Sequence, residues 1–519
     1  MKDYDQSRVI EFLSRADSYG DGDGPVTKIE THISVVFLVG LRAFKLKRAV
    51  KYPYLDFSTL ELRRRMCDAE VAVNRRTAPN LYKGVVAVTV SESGALSIAG
   101  DGETVEWLVE MVRFDEDALF NHLKLTPRLM GELAEAIADF HMAAKPRPQF
   151  DSYQGLEETI TGNAASFALF GGDIVDAAVV EVLNQAQLAA LRGPYGEKLK
   201  ARGKAGLVRH CHGDLHLRNI CLIDDRPTLF DAIEFNDTFA YIDVFYDLAF
   251  LLMDLDHRGL RRLANIILNR YLDITGDAGG LQCLPLLLSV RAAIRAHVSA
   301  TAAGQQSNAL DGERLAGEAR SYLDLARDYL VTGKPRLIAV GGLSGSGKSR
   351  LGRELASYIG LAPGARIVRS DVIRKGLAGV TPLTRLDESG YSPEMTRRTY
   401  LELNDQTQSA LQNGHSVIAD AVFAKPEERK AIAAVADNMG LSFHGLWLEA
   451  PAQVMEARVT ARKFNASDAD AAIVRQQLSY DLGAMEWTRI DSAGTKFSTL
   501  EKALKVLGLY VVIVEEKSA

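Results

Sequence analysis

The sequence predicts two domains of different class. Residues 1–330 read as an α+β domain of protein-kinase-like, bilobal build, and residues 335–519 as an α/β domain with a parallel sheet. Three observations carry this. A β-rich stretch over about 20–115 precedes a helical one over about 116–330. The pattern then breaks at Gly333 and Pro335, and beyond them apolar strands alternate with helical segments. A chain of 519 residues also exceeds what one hydrophobic core usually organises.

Taken in order, "VTKIETHISVVFLVG" and "AFKLKRAV" are rich in β-formers and read as strand, turn, strand. Ser58 or Thr59 caps a helical pattern that follows, whose "LRRR" run at 62–65 reads as a solvated face. "YKGVVAVTVSESGALSI" and "VEWLVEMV" return to strand. Thr126-Pro127 opens a helix, because proline at the first helical position gives up an N–H that has no partner there. "LQCLPLLLSV" reads as a buried helix. After the break, "RLIAVGGLSGSGKSRLGRELASYI" is strand, glycine loop and helix, and "ARIVRSD", "HSVIAD" and "SFHGLWLEA" are further strands.

Apolar residues make up 47% and charged residues 25%, which is ordinary for a soluble globular protein. A net charge of −6 weighs against a protein that coats nucleic acid. The four cysteines, Cys67, Cys211, Cys221 and Cys283, are scattered and unpaired in sequence, as in a reducing compartment. The first residues lack a signal-peptide core, and no apolar run reaches the roughly 20 residues a bilayer needs. A cytoplasmic protein with no membrane partner is expected, and a homo-oligomer is left open.

His212-Gly213-Asp214 followed by Asn219 has the H-x-D-x-x-x-x-N spacing of kinase catalytic loops. Such chemistry needs a carboxylate beside the acceptor hydroxyl to take its proton, here Asp214. It needs an amide oxygen reaching a Mg²⁺ on the phosphates, here Asn219, and a second metal carboxylate at a strand end, here Asp231 in "LFDAIEF". Upstream, Lys45 is the expected phosphate lysine, with Lys47 on the same face as runner-up. Glu70 is its expected partner, with Glu61 second. Backbone groups from Glu110 to Val112 would meet adenine. His210 and His216 read as structural.

Gly342 to Ser349, "GLSGSGKS", satisfies G-x-x-x-x-G-K-[ST] between a strand and a helix. Glycines Gly342, Gly345 and Gly347, with Ser344 and Ser346, let backbone N–H groups point at a phosphate, and the helix N-terminus adds its dipole. Lys348 should bridge the β and γ phosphates and Ser349 should hold Mg²⁺. Asp371 follows the next strand, where P-loop kinases face the acceptor, and is the expected base. Arg374 would orient phosphoryl group or substrate, and strand-terminal Asp420 would contact metal or substrate. Arg458 and Arg462, four apart on a helix, share a face and would close over ATP.

On "HGDLHLRN" and "DVFYDLAFL", residues 26 to about 330 resemble the aminoglycoside phosphotransferase family of small-molecule kinases. That resemblance implies that Asp247 braces the catalytic loop, and the absence of a protein-kinase glycine loop ("ETHISVVF" stands there) is usual in it. On "SDVIRK" and "SDA", residues 335 to about 515 resemble P-loop kinases such as gluconate kinase, polynucleotide kinase modules and zeta toxins. The order of the two halves resembles bacterial bifunctional phosphotransferase/ATP-binding fusions. The resemblance implies ATP or GTP as donor, Mg²⁺, and a small-molecule hydroxyl acceptor such as a sugar. Two alternatives stand beside it. One is a nucleic-acid 5′-hydroxyl kinase using Tyr391, Tyr400, Arg397 and Arg398. The other is a nucleotide-sensing pseudokinase scaffold.

Overall fold

The computed structural model describes residues 5–20, 24–52, 54–170, 174–306, 308–461 and 467–509. The chain forms two compact units, residues 1–159 with 199–254, and residues 160–198 with 255–519. The break expected at 330–335 lies in an irregular stretch, 331–335, between the helix Ala309–Asp328 and the strand Arg336–Gly342. The second unit starts earlier in the chain, because it takes in the helices of 160–198 and 255–328.

The first unit holds a six-stranded antiparallel sheet. Its spatial order is Thr27–Glu30, Ser34–Val39, Arg42–Lys47, Glu103–Val112, Tyr82–Val90 and Leu96–Ile98. The sequence pattern merged the first two of these strands. They separate because Thr31 closes a turn, its N–H donating to Ser34 O at 2.9 Å and its hydroxyl accepting from Ser34 N at 3.0 Å. Of the two candidate caps, Thr59 is the one used: its hydroxyl accepts from Leu62 N at the start of the helix Leu60–Asn74. That helix packs on the strands Tyr82–Val90 and Glu103–Val112.

The "LRRR" run is not a uniformly solvated face. Arg63 is completely buried, its Nε donating to both carboxylate oxygens of Glu106 at 2.8 and 3.0 Å and its Nη1 to Phe57 O at 2.9 Å. A buried guanidinium must be paired, and Glu106 on the sheet beneath supplies the charge. Arg64 instead lies over the Trp107 ring at 3.9 Å.

Two antiparallel strand pairs complete the part of this unit that bears the catalytic loop. Ile220–Ile223 pairs with Arg226–Leu229, and Val208–His210 with Tyr241–Asp243. Asp224 and Asp225 join the first pair with positive φ at both positions, as a tight two-residue hairpin requires.

In the second unit five parallel strands lie in the order Arg366–Arg369, Val417–Asp420, Arg336–Gly342, Ser442–Glu449 and Thr488–Asp491. The first strand in sequence is central, so chain excursions leave in both directions from it. The glycine loop follows at its C-terminal end, the place where sheets of this build bind ligands. The apolar "LPLLLSV" segment is the buried start of the helix Leu284–Gly304. Among the described residues, no helix is long and apolar enough to cross a membrane.

Candidate active sites

In the first unit the expected residues converge. Lys45 Nζ lies 2.9 Å from Glu70 Oε1 and 2.6 Å from Asp231 Oδ1. Burial opposes the Lys45 ammonium, but the carboxylates of Asp231, Glu70 and Glu234 outweigh it and hold its pKa well above the ordinary lysine value. The runner-up Lys47 has a different place: it meets the other Glu70 oxygen at 2.6 Å and pairs closely with Glu234. Glu70 therefore bridges two lysines, which keep its pKa low despite complete burial. Glu234, with less compensation for its burial, is pushed up. Glu61 is exposed in the first turn of the helix and plays no part here.

The catalytic loop is tied together by its own side chains. Asn219 Nδ2 donates to Asp214 Oδ2 at 2.9 Å and to Asp214 O at 3.0 Å, which leaves the Asn219 amide oxygen to face a metal. Asp247 accepts from the backbone N–H groups of His212 and Gly213 at 3.0 and 2.8 Å and bonds His141 Nε2 at 3.0 Å. That is the brace the resemblance implied. His212 Nδ1 accepts from Asp214 N, so its Nε2 carries the proton given to Phe230 O at 2.8 Å. Burial lowers the His212 pKa and keeps this tautomer neutral. The imidazole thereby links the catalytic loop to the strand end that delivers Asp231. His216, read as structural, has its Nε2 3.4 Å from Asp214 Oδ2.

Asp231 occupies the left-handed region, with φ 61°. Two residues that motif reading missed hold it there. Tyr82 Oη accepts from Asp231 N at 3.1 Å, and Asn74 Oδ1 accepts from Ala232 N at 2.8 Å. The adenine expectation needs correction at Val112. Its amide already donates to Leu81 O at 2.8 Å, and Glu110 is paired within the sheet to Phe44 and Gly84. The strand has not yet left the sheet at these positions.

In the second unit the glycine loop has the cradle form its spacing demands. Gly345 and Gly347 have φ of 86° and 99°, and a Cβ on Gly345 would lie 2.5 Å from Met455 O. Lys348 Nζ folds back to Leu343 O at 3.1 Å. The buried Ser346 hydroxyl has no hydrogen-bond partner among the described residues. Residues from the C-terminal third hold the loop from behind. Gln477 Oε1 accepts from Ser344 N at 2.7 Å, and Ser492 Oγ donates to Ser346 O at 2.7 Å. Arg458 donates to Ser492 O at 2.8 Å, with its other Nη 3.5 Å from Gly345 O, so it lies against the loop. Gln477 and Ser492 belong to no local motif, and no sequence signal marked them. Arg462 lies outside the described residues.

Asp371 opens the helix Ser370–Leu377 at the end of the strand Arg366–Arg369 and is half-exposed. Arg374, on the same helix, is buried. Its Nη1 donates to Gly390 O at 3.0 Å and Thr396 Oγ1 at 3.3 Å, and its guanidinium lies 5.0 Å from the Tyr391 ring centroid. These contacts tie the helix Ser370–Leu377 to the segment from Gly390 to Thr396. Asp420 is buried at its strand end, 3.5 Å from Arg369 Nε. Tyr400 turns inward, its hydroxyl accepting from Phe423 N at 3.0 Å, so of the two tyrosines only Tyr391 offers an exposed ring.

Both sites present oxygen donors of the kind Mg²⁺ prefers. In the first these are the half-exposed Asp231 carboxylate and the Asn219 amide. In the second it is the Ser349 hydroxyl, beside a glycine loop with no room for a Cβ at Gly342 or Gly345. Residues 68–283 match the phosphotransferase enzyme family, and residues 337–481 match an AAA domain. An uncharacterized protein of Mycobacterium tuberculosis is 30% identical over 494 residues, covering 92% of this chain and 94% of its own, and one of Mycobacterium bovis matches equally. The chain belongs to this two-part family.

It is a phosphotransferase of the kinase type, with a P-loop kinase-like second half. Solved structures similar to it include a gluconokinase from Sinorhizobium meliloti (21% identical, 34% of this chain and 93% of that one, TM-score 0.25). A choline kinase from Cryptosporidium parvum is 11% identical over 62% of this chain and 96% of that one, with TM-score 0.39.

Proposed function

We propose that the protein is a bifunctional small-molecule kinase. Each half would transfer the γ-phosphoryl group of ATP or GTP to a hydroxyl of a metabolite such as a sugar or a related compound. The observation that carries this reading is the joint geometry of Lys45, Glu70 and Asp231 with the Asn219–Asp214 pair. It supplies a phosphate lysine, a metal carboxylate and a base in one unit.

In the first half, Asp214 accepts the proton as the acceptor oxygen bonds to the γ-phosphorus and the bond to the β,γ-bridging oxygen breaks, releasing the nucleoside diphosphate. Lys45, steered by Glu70, orients the phosphates. Asn219 and Asp231 would hold Mg²⁺, which offsets phosphate charge when bound. In the second half, the backbone amides of 345–349 with Lys348 hold the donor, Ser349 would hold Mg²⁺ and Asp371 takes the acceptor proton. Arg374 and Tyr391 line the acceptor side. Asp420 supports the site from beneath through Arg369.

The test is an ADP-release screen against pooled sugars, polyols, aminoglycosides, nucleosides and oligonucleotides, run beside Asp214→Ala and Lys348→Ala. A hit lost in one variant assigns the activity to that half. If only oligonucleotides gave release, the second half would be a 5′-hydroxyl kinase. The inward-turned Tyr400 counts against that outcome, since single strands need stacking aromatics. Nucleotide binding without acceptor-dependent release in any pool would leave the sensing scaffold instead.

A further inference from the structure

The strand Arg366–Arg369 is an edge strand. It pairs with Val417–Asp420 on one side only. On the paired side Arg366 N donates to Ser416 O, so the alternation of the strand turns Ala365 O and Ile367 N outward. An outward carbonyl and amide buried without partners would be costly. The helix Arg261–Thr275 covers them. Asn269 Nδ2 donates to Ala365 O at 3.1 Å and Asn269 Oδ1 accepts from Ile367 N at 2.6 Å. A single carboxamide thus makes the donor–acceptor pair that a residue of a neighbouring strand would make.

The surroundings lock that carboxamide in place. Asn265 Nδ2 also reaches Ala365 O at 3.0 Å, and Asn269 Nδ2 bonds Asn265 O and Oδ1 at 3.0 and 3.1 Å. Arg366 Nη1 donates back to Asn269 O and Oδ1, while its Nη2 pairs with Asp273 at 2.6 Å. Asn265, Asn269 and Arg366 are all buried. A turn away, Arg262 bonds Glu354 on the helix that starts at Lys348. The gripped strand runs directly into Ser370 and Asp371.

We propose that Asn269 is a positioning residue for the second site: it stands in for a missing strand and sets the register of the segment that presents Asp371. The inference rests on the reading of Asp371 as the acceptor base. It also means that the P-loop half draws part of its structure from residues inside the matched phosphotransferase region, 68–283.

Hydrogen exchange on the full-length chain tests this, with Asn269→Leu, Asn269→Asp and, as control, Arg262→Ala. The expected result for Asn269→Leu is exchange at least about tenfold faster in peptides covering 365–371, the loss of one well-made bond. Peptides over 336–349 and the Lys348-dependent affinity for a fluorescent ATP analogue should stay within about twofold of the parent. Asn269→Asp keeps the acceptor for Ile367 N and loses the donor to Ala365 O, so it should fall between parent and Asn269→Leu; it decides the matter should the leucine variant not fold. Arg262→Ala should leave 365–371 protected. Unchanged protection at 365–371, or a uniform loss across the whole unit, overturns the proposal. With an acceptor in hand, Asn269→Asp should change acceptor KM or kcat while nucleotide KM holds. If Asp371→Asn left transfer intact, the reading of the base would fail, while the exchange result would stand or fall by itself.

Discussion

The Tyr82 hydroxyl accepts the main-chain amide of Asp231 at 3.1 Å, and by doing so holds a non-glycine residue at a φ of 61°. Left-handed backbone costs an ordinary residue of order 1 kcal/mol, so Asp231, the proposed metal carboxylate, keeps its aim because a neighbour supports it.

Tyr82→Phe should therefore cost about 1 kcal/mol of stability, the worth of one hydrogen bond. Its larger effect should fall on metal use, since outer contacts to metal ligands govern affinity by roughly tenfold or more. A Mg²⁺ titration of Asp214-dependent ADP release reads this. An unchanged half-saturation point would show that Asp231 holds its conformation unaided.

The buried Arg63–Glu106 pair should behave as a unit. Arg63→Met leaves Glu106 uncompensated in the interior and should destabilise by about 3–5 kcal/mol, and adding Glu106→Leu should restore much of that. Urea unfolding of the two single variants and the double variant gives the coupling. Simply additive losses would refute it.

Gly345→Ala should abolish most Lys348-dependent nucleotide binding without unfolding the chain. The new methyl would meet Met455 O at 2.5 Å, at a φ of 86° that alanine disfavours. Fluorescent-nucleotide titration should show at least about a tenfold rise in Kd, the effect of some 1–2 kcal/mol of strain. Near-parent affinity would mean that the loop and the helix Ala452–Thr460 part easily.

Acid should weaken the second unit over a defined window. Burial pushes the His415 pKa from 6.5 to about 4, while its Nε2 donates to Gly364 O at 2.8 Å. The folded value is the lower one, so this contribution to stability is complete above pH 6.5 and declines as the pH falls towards 4. The slope is about 1.4 kcal/mol per pH unit. His297, also pushed to about 4 by burial, adds to the same window. His415→Gln should flatten the melting-temperature profile between pH 6.5 and 4 by part of its slope. A profile identical to the parent's would exclude His415 as a contributor.

What the sequence by itself determined is what short spacing can encode. His212, Asp214 and Asn219 lie within one loop, and Gly342 to Ser349 within one strand–loop–helix turn, so the chemistry and the local backbone are specified together. Parallel strands were legible from their apolar runs, and Lys45 and Glu70 from a strand followed by a helix. Tertiary structure decided the rest. Only the folded sheet shows Glu70 shared by Lys45 and Lys47, or Arg63 drawn inside by Glu106. Gln477 and Ser492 reach the glycine loop from over 130 residues away, and Asn269 meets Ile367 from a helix about 100 residues upstream. Those contacts carry no local pattern, because a buried carbonyl or amide can be satisfied by any suitably placed polar side chain. Which one does so is settled by packing alone.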